Sequence, residues 1–485
     1  MAQHLCNHCR PLNTRREFLS RSALGIGALG LASLMQEYAL ADDALVSPLA
    51  PKVPHFPAKA KRVIHIFAEG GPSQVDTFDP KPMLEKYHDK PVDAVLKDYQ
   101  KNASEAASGM GRLSGKLQRS AFKFTKQGQC GMEISELFPM LSQHADELCV
   151  VRSMHTTTSV HEPAQLVMNT GAFASVRPSF GAWTVYGLGS ENQNLPGYVA
   201  LSPSGTTSSG DKQWASAFLP AWCQGTAIAT KNPDVARMIE HIRSGTTSLR
   251  EQRRQLDLIG QMNGDFAEKH PHEALLEGRI GAYETAFRMQ VEATDAFDLA
   301  REPRHVRELY GETEQGRQLM LARRLVERGV RFVQVYHNGW DTHDLNDENH
   351  RLLAKACDQP LHALLTDLKQ RDMLKDTLVI WGGEFGRTPT SDNNDVAKKK
   401  GIGRDHNAGG FTLWMAGGGA KPGTTYGKSD DFGALAVENK VDVHDFHATV
   451  LHLLGFNHEK LTYRYAGRDF RLTDVEGNVV KGVLA

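Results

Sequence analysis

Twice in its second half this chain runs from an amphipathic segment straight into a short β-branched and aromatic run. Glu314 to Glu327 carries apolar residues at helical spacing, Arg328-Gly329 closes it, and Val330-Arg331-Phe332-Val333-Gln334-Val335-Tyr336 follows as a strand. The helix read from about Pro360 to Leu368 is followed in the same way by Thr377-Leu378-Val379-Ile380-Trp381. Strands this continuously apolar need cover on both faces, and helices between them supply it. The alternation therefore predicts an α/β fold with a mostly parallel central sheet sandwiched by helices.

Further elements fit that frame. Val63-Ile64-His65-Ile66-Phe67-Ala68, ended by Glu69-Gly70-Gly71-Pro72, is the pattern of a buried first strand entering a tight loop. Leu148 to Val151 is a second apolar run leading into a polar loop, and Pro163 suits the first turn of a helix through Ala164-Gln165-Leu166-Val167-Met168. Between Thr247 and Leu299, apolar residues at helical spacing, broken near His270-Pro271, predict a helical hairpin insertion. Phe411 to Ala416 reads as a strand, and Asp445 to Leu454, stopped by Gly455, as a helix. Lys398-Lys399-Lys400 reads as a solvated loop. The organisation expected is a leader over 1–41, an extended lead-in over 42–61 and one α/β domain over 62–485, with the hairpin at about 247–299.

The leader is an address. Thr14-Arg15-Arg16-Glu17-Phe18-Leu19 precedes an apolar run from Ala23 to Met35, and Ala39-Leu40-Ala41 offers small residues for cleavage before Asp42. That order reads as a twin-arginine export signal, with the twin-arginine translocase as partner and a periplasmic or secreted destination. The run is too short for a bilayer span, and no membrane span is expected after processing. Lysine and arginine total 56 against 57 acids, a formal net charge of -1, so no global field attracts nucleic acid. Of six cysteines, Cys6 and Cys9 fall in the leader, and Cys130, Cys149, Cys223 and Cys357 are too dispersed for a disulfide framework or a zinc ribbon.

The apparent strands end in concentrated polar residues. Glu69-Gly70-Gly71-Pro72-Ser73-Gln74 follows the first. His337-Asn338-Gly339-Trp340-Asp341-Thr342-His343 follows the strand at 330–336, and Gly382-Gly383-Glu384-Phe385-Gly386-Arg387-Thr388-Pro389 follows that at 377–381. Gly403-Arg404-Asp405-His406-Asn407 precedes the strand at Phe411. Carboxyl ends of parallel strands converge on one crevice, so Glu69, Asp341, His343, Glu384 and His406 can meet there. Two imidazoles with three carboxylates suit a divalent cation, zinc first, with manganese, calcium and magnesium as the other candidates. Arg404 and Asp405 are candidates for orienting His406.

Arg152 to Pro163 is a polar loop feeding the amino end of a helix, which favours an anionic ester. His155 and His161 there are candidates for a metal ligand, a proton donor or a nucleophile, and Arg387 for a bidentate anion clamp. The competing reading of this loop is a helix cap by Ser159 or Glu162 with surface histidines.

Glu69-Gly70-Gly71-Pro72-Ser73-Gln74, Gly339-Trp340-Asp341-Thr342-His343, Gly383-Glu384-Phe385-Gly386-Arg387-Thr388-Pro389 and Gly403-Arg404-Asp405-His406 resemble signatures of the alkaline phosphatase and sulfatase superfamily. More closely they resemble an exported sulfatase-like family, domain of unknown function 1501. Phe218-Leu219-Pro220 and the stretch from Asp445-Phe446-His447-Ala448-Thr449 to Arg468-Asp469 extend the resemblance over nearly the whole mature chain. It implies an alkaline phosphatase-like fold and a metal-dependent hydrolase of sulfate or phosphate esters, acting on a small-molecule or carbohydrate ester. A non-catalytic or carbohydrate-binding member of the same fold is the alternative. It also implies that Glu69 and Glu384 ligate one metal subsite and Asp341, His343 and His406 another. Phe385 stands where the superfamily has a histidine. The sulfatase nucleophile motif is absent, and placing Pro163 on its proline puts His161 at the nucleophile position, with Thr158, Ser159 or a water on the metal as other candidates.

Overall fold

Arg62–Glu69 (β1) alternates its side chains between two apolar surroundings: Val63 and Phe67 pack into one core cluster, Ile64, Ile66 and Ala68 into another. A strand with no polar face belongs at the centre of a covered sheet, and β1 lies between Phe332–Asn338 (β5) and Thr377–Gly382 (β6), parallel to both. The computed structural model describes residues 49–99, 113–173, 177–238, 248–269, 287–288, 295–391 and 402–485. The leader expected at 1–41, the start of the expected lead-in, the hairpin break expected at His270-Pro271 and the loop expected at Lys398-Lys399-Lys400 lie outside them.

The other strands of this nine-stranded sheet are Leu148–His155 (β2), Tyr198–Ser202 (β3), Thr226–Ala229 (β4), Phe411–Ala416 (β7), Thr424–Tyr426 (β8) and Val441–Asp442 (β9). Their order is β8-β2-β7-β6-β1-β5-β3-β4, with β9 also paired to β2. All pairs are parallel except the two made by β7, which runs against β6 and β2. The mostly parallel sheet expected from the sequence is therefore present. Because β7 alone is reversed, it enters the sheet at the carboxyl edge of the others, and the residues just before it lie on that edge.

Helices Glu314–Glu327 (α4) and Asn346–Gln370 (α5) supply the core on one face. His161–Thr170 (α1), Phe180–Leu188 (α2) and Val443–Leu453 (α6) supply it on the other. Leu249–Lys269 (α3) falls where the first arm of the hairpin was expected. No helix among the described residues is long and apolar enough to cross a membrane, and Cys130, Cys149, Cys223 and Cys357 are free thiols.

Several boundaries differ from the sequence reading. β2 continues through Arg152, Ser153, Met154 and His155, because β7 and β9 pair with it as far as Met154 and His155. α1 begins at His161, two residues before Pro163. α5 begins at Asn346, and Pro360 stands inside it. An interior proline leaves the carbonyl four residues earlier without its helical donor. Here Thr313 Oγ1 donates to that carbonyl, Ala356 O, at 3.2 Å, while also accepting from Gly316 N as the cap of α4.

Candidate metal centre

Each polar group expected at a strand end is delivered by a separate local device. After β5, the chain turns at Gly339 and buries Trp340 edge-on against Trp381 at 5.8 Å, with Trp340 N bonded to Glu69 O. That anchor fixes Asp341. Gly70 has φ +114°, and a Cβ there would lie 2.3 Å from Asp341 N, so only glycine lets the two loops approach. After β6, Gly386–Arg387 forms a short antiparallel ribbon with His406–Asn407, bringing His406 opposite Arg387. Gln74 holds this ribbon by accepting from Arg387 N and donating to Arg387 O, each at 2.8 Å.

Four side chains converge at the carboxyl edge. One ligand atom from each of His161, Asp341, His343 and His406 lies within 4.8 Å of all the others. His343 Nε2 and His406 Nε2 are 2.8 Å apart, and they stand 3.1 and 3.2 Å from Asp341 Oδ1. His161 Nε2 is 3.2 Å from Asp341 Oδ2. The opposite ring nitrogens explain the convergence. His406 Nδ1 is 2.7 Å from Ser159 O, which can only accept, so Nδ1 carries the proton and Nε2 the lone pair. His161 Nδ1 is 2.8 Å from Glu384 Oε1, a carboxylate acceptor of the same kind. Imidazoles that donate through one nitrogen to a carbonyl or carboxylate and gather the other around a common point are arranged as metal ligands.

Without a cation, this geometry is electrostatically uneven. Burial pushes His161 down, yet its hydrogen bonds to Asp341 and Glu384 and their charges raise it to about 9. Burial pushes Asp341 up, but hydrogen bonds from His161, His343 and His406 and the Arg387 charge hold it far below the usual carboxylate range. Three imidazoles with one carboxylate fit a borderline divalent ion such as zinc, and fit calcium or magnesium less well because those prefer all-oxygen shells.

Of the five ligands expected, Asp341, His343 and His406 join this cluster, and His161, a candidate for a metal ligand, a proton donor or a nucleophile, joins them. Glu69 and Glu384 reach the same edge but stand beside the cluster, hydrogen-bonded to other groups. Glu384 accepts from Gly70 N at 3.0 Å and from Gln165 Nε2 at 3.3 Å. Glu69 Oε1 accepts from Ser208 N at 3.1 Å, from Ser208 Oγ, and from Gln165 Nε2 at 3.3 Å, while Oε2 is buried without a partner. Burial raises Glu69 from its ordinary value, against the pull of the Ser208 hydrogen bonds.

Arg387 departs from its expected role. Its side chain is fully buried and donates to Gly71 O, Gly70 O, Trp340 O and Arg404 O, and to Asp341 Oδ1 at 2.7 Å. It braces Asp341 and the surrounding backbone and cannot reach a substrate anion. His155 ends β2 with Nδ1 3.8 Å from Asp442 Oδ2, and its described contacts are with that residue, not with the cluster. Arg404 is buried against Asp76 at 2.8 Å, and Asp405 Oδ1 accepts from His406 N at 2.7 Å, so both hold the ribbon that carries His406. The cap of α1 is Val160, with no side-chain cap bond, in place of Ser159 or Glu162; Thr158 Oγ1 accepts from Val160 N. Phe385 is buried and places its ring 4.9 Å from that of His161 and 4.6 Å from that of His406.

Gln165 and Ser208 went unread in the sequence. Gln165 and Asn169 form a polar pair four residues apart on a helix buried around them, the one signal available. Ser208 follows β3, a strand the sequence reading did not identify.

The family model described as "Protein of unknown function (DUF1501)" matches residues 60–484. No curated protein matches. Among solved structures, the chain is similar to the lipoteichoic acid synthase LtaP from Listeria monocytogenes, at 9% identity and TM-score 0.37 over 88% of this chain and 78% of that one. It is similar to the PsFucS1 sulfatase from Pseudoalteromonas sp. at 11% identity and TM-score 0.35, over 82% and 68%. It is also similar to the alkaline phosphatase from the Antarctic bacterium TAB5, at 10% identity and TM-score 0.34, over 82% and 99%. At these TM-scores the three likenesses carry no inference about activity.

Proposed function

Since the chain belongs to the DUF1501 family, whose function is unknown, its chemistry has to be argued from its own site, and we propose that it is a metal-dependent hydrolase of sulfate or phosphate esters. The observation that carries this reading is the meeting of His161, His343 and His406 Nε2 with the Asp341 carboxylate at the carboxyl edge of the sheet. The order in which Glu69, Asp341, His343, Glu384 and His406 reach that edge is the order the superfamily resemblance implies, which supports the ester chemistry. A divalent cation, zinc by the donor set, supplies Lewis acidity toward an ester oxygen when bound.

The chain's own residues do the rest. Asp341 contributes the negative charge of the donor set, braced by Arg387 and by the buried Trp340. Ser159 O and Glu384 hold the protons of His406 and His161 on Nδ1, leaving Nε2 free to coordinate. Phe385 closes the inner side of both rings against water. The amino end of α1 has no side-chain cap, and its dipole favours an anionic ester head at the mouth of the site. The twin-arginine leader supports export to the periplasm or beyond.

The test is metal analysis of protein purified without added ions, followed by a panel of aryl phosphates and aryl sulfates. Stoichiometric zinc with turnover of one ester class is expected, and both should be lost in His406→Ala and Asp341→Ala. Metal content unchanged in both variants would overturn the site. Bound metal without turnover of either class would favour the non-catalytic, carbohydrate-binding alternative.

A further inference from the structure

Accepting that His161, Asp341, His343 and His406 hold one cation, we propose that the neighbouring position between Glu69 and Glu384 is filled by the side-chain amide of Gln165, so that the centre takes a single divalent cation and not a pair. Gln165 Nε2 lies 3.3 Å from Glu69 Oε1 and 3.3 Å from Glu384 Oε1, and the residue is buried. An amide NH2 has two hydrogens, one for each carboxylate.

The orientation of that amide follows from the groups behind it. Gln165 Oε1 accepts from Ser209 Oγ and from Gln213 Nε2 at 3.3 Å. Gln213 is fixed in turn, because its Oε1 accepts from Asn169 Nδ2 at 2.9 Å and its Nε2 also donates to Thr207 Oγ1 at 2.9 Å. The network reaches the sheet through Gln334, which donates to Asn169 Oδ1 and accepts from Tyr198 OH at 2.6 Å. Turning the amide over would set its carbonyl against two carboxylates and its NH2 against the Gln213 NH2. Each is a loss in a buried place, where a polar group left without a partner is costly.

The same position is poorly furnished for an ion. Zinc-like cations take three or four protein ligands, whereas Glu69 and Glu384 are the carboxylates here and Phe385 presents only its ring. His161 does not make up the deficit, since its Nδ1 proton is given to Glu384 and its Nε2 faces Asp341. Two hydrogen bonds from a neutral amide thus do the work of joining the two acids, and they fix Glu384 as the acceptor that holds His161 in the tautomer the cation needs.

The experiment counts zinc bound to the full-length chain after loading with excess zinc and desalting, by plasma mass spectrometry, with circular dichroism to confirm folding. One ion per chain is expected for the parent protein and for Glu69→Gln, none for Asp341→Asn, and a rise toward two for Gln165→Glu, which replaces the donor by a third carboxylate. Two ions in the parent, falling to one in Glu69→Gln, would overturn the amide assignment and leave the four-residue centre standing. Zinc bound at one per chain in Gln165→Glu would show that the amide is not what excludes the second ion. No zinc in the parent would remove the four-residue centre itself. Should Gln165→Glu fail to fold, the comparison of the parent with Glu69→Gln decides alone.

Discussion

Ser159 settles the chemistry of His406 with a backbone atom: a carbonyl has no proton to give, so the imidazole must donate and its other nitrogen must face the cluster. Glu384 does the same for His161 with a side chain, which makes the effect open to substitution. Glu384→Ala is expected to weaken zinc binding about 10- to 100-fold, with a smaller loss in Glu384→Gln, whose amide oxygen still accepts. Titration calorimetry at constant pH reads both, and equal affinity in all three proteins would rule out a tautomer-setting role. A second histidine is held by carboxylates away from the cluster. His444 Nε2 donates to Gly171 O at 2.9 Å, and Nδ1 faces Asp442 at 2.7 Å and Glu476 at 3.2 Å, with Asp445 on the same helix and the His447 ring 6.4 Å away. Burial lowers it, but the hydrogen bonds to Asp442 and Gly171 and the charges of Asp442 and Glu476 raise it to about 9. A histidine raised on folding stabilises fully below its unfolded value and loses that contribution as pH climbs through the folded one. The unfolding free energy of the parent should therefore exceed that of His444→Gln by no more than about 2–3 kcal/mol near pH 6, the excess fading by about pH 10; urea titrations that show the gap widening with pH would contradict it. Asp341 and His343 were legible as polar residues concentrated just after an apolar run, and His406 as part of a polar group just before one. Gln165 was not, since its partners Ser209 and Gln213 come from a segment that only the folded chain brings alongside.

At the scale of elements, the long helix α5 shows what a sequence pattern leaves out. Its proline reads as a helix start, and the fourteen residues from Asn346 to Gln359 precede it in the helix because a hydroxyl from another helix meets the vacant carbonyl. Thr313 thereby joins two elements, capping α4 with the same oxygen that serves α5. Thr313→Val should cost about 1–2 kcal/mol through the lost cap and the stranded acceptor. In a Pro360→Ala background the helix regains its own N–H at that carbonyl, so the cost should shrink toward that of the cap alone. A double-mutant cycle by urea denaturation measures the coupling, and additive effects would mean that the hydroxyl and the proline act separately. β7 carries a related lesson. Its residues were read correctly, Phe411 to Ala416, but apolar content does not encode direction, and its reversal is what places His406 beside Asp341.

For the molecule as a whole, the four converging residues span positions 161 to 406, so the centre exists only when the sheet has assembled. A cation bound there stabilises the folded chain by mass action, about 2.7 kcal/mol at a free concentration one hundred times the dissociation constant. Thermal unfolding of zinc-loaded protein should accordingly come several degrees above that of the chelator-treated protein, and Asp341→Asn should abolish the difference. The same dependence on folding bears on the proposed twin-arginine leader. The twin-arginine route carries proteins already folded, and a centre gathered from both halves of the chain can be loaded before export only by such a route. Replacing Arg15 and Arg16 by lysine should leave the protein in the cytoplasm of an expression host that has the route, with its leader uncleaved, folded and holding zinc. Cell fractionation with metal analysis of each fraction reads the result. Arrival of that variant in the periplasm at the parent's level would remove the leader assignment, whereas cytoplasmic protein without zinc would place loading after export and separate the address from the centre it was taken to serve.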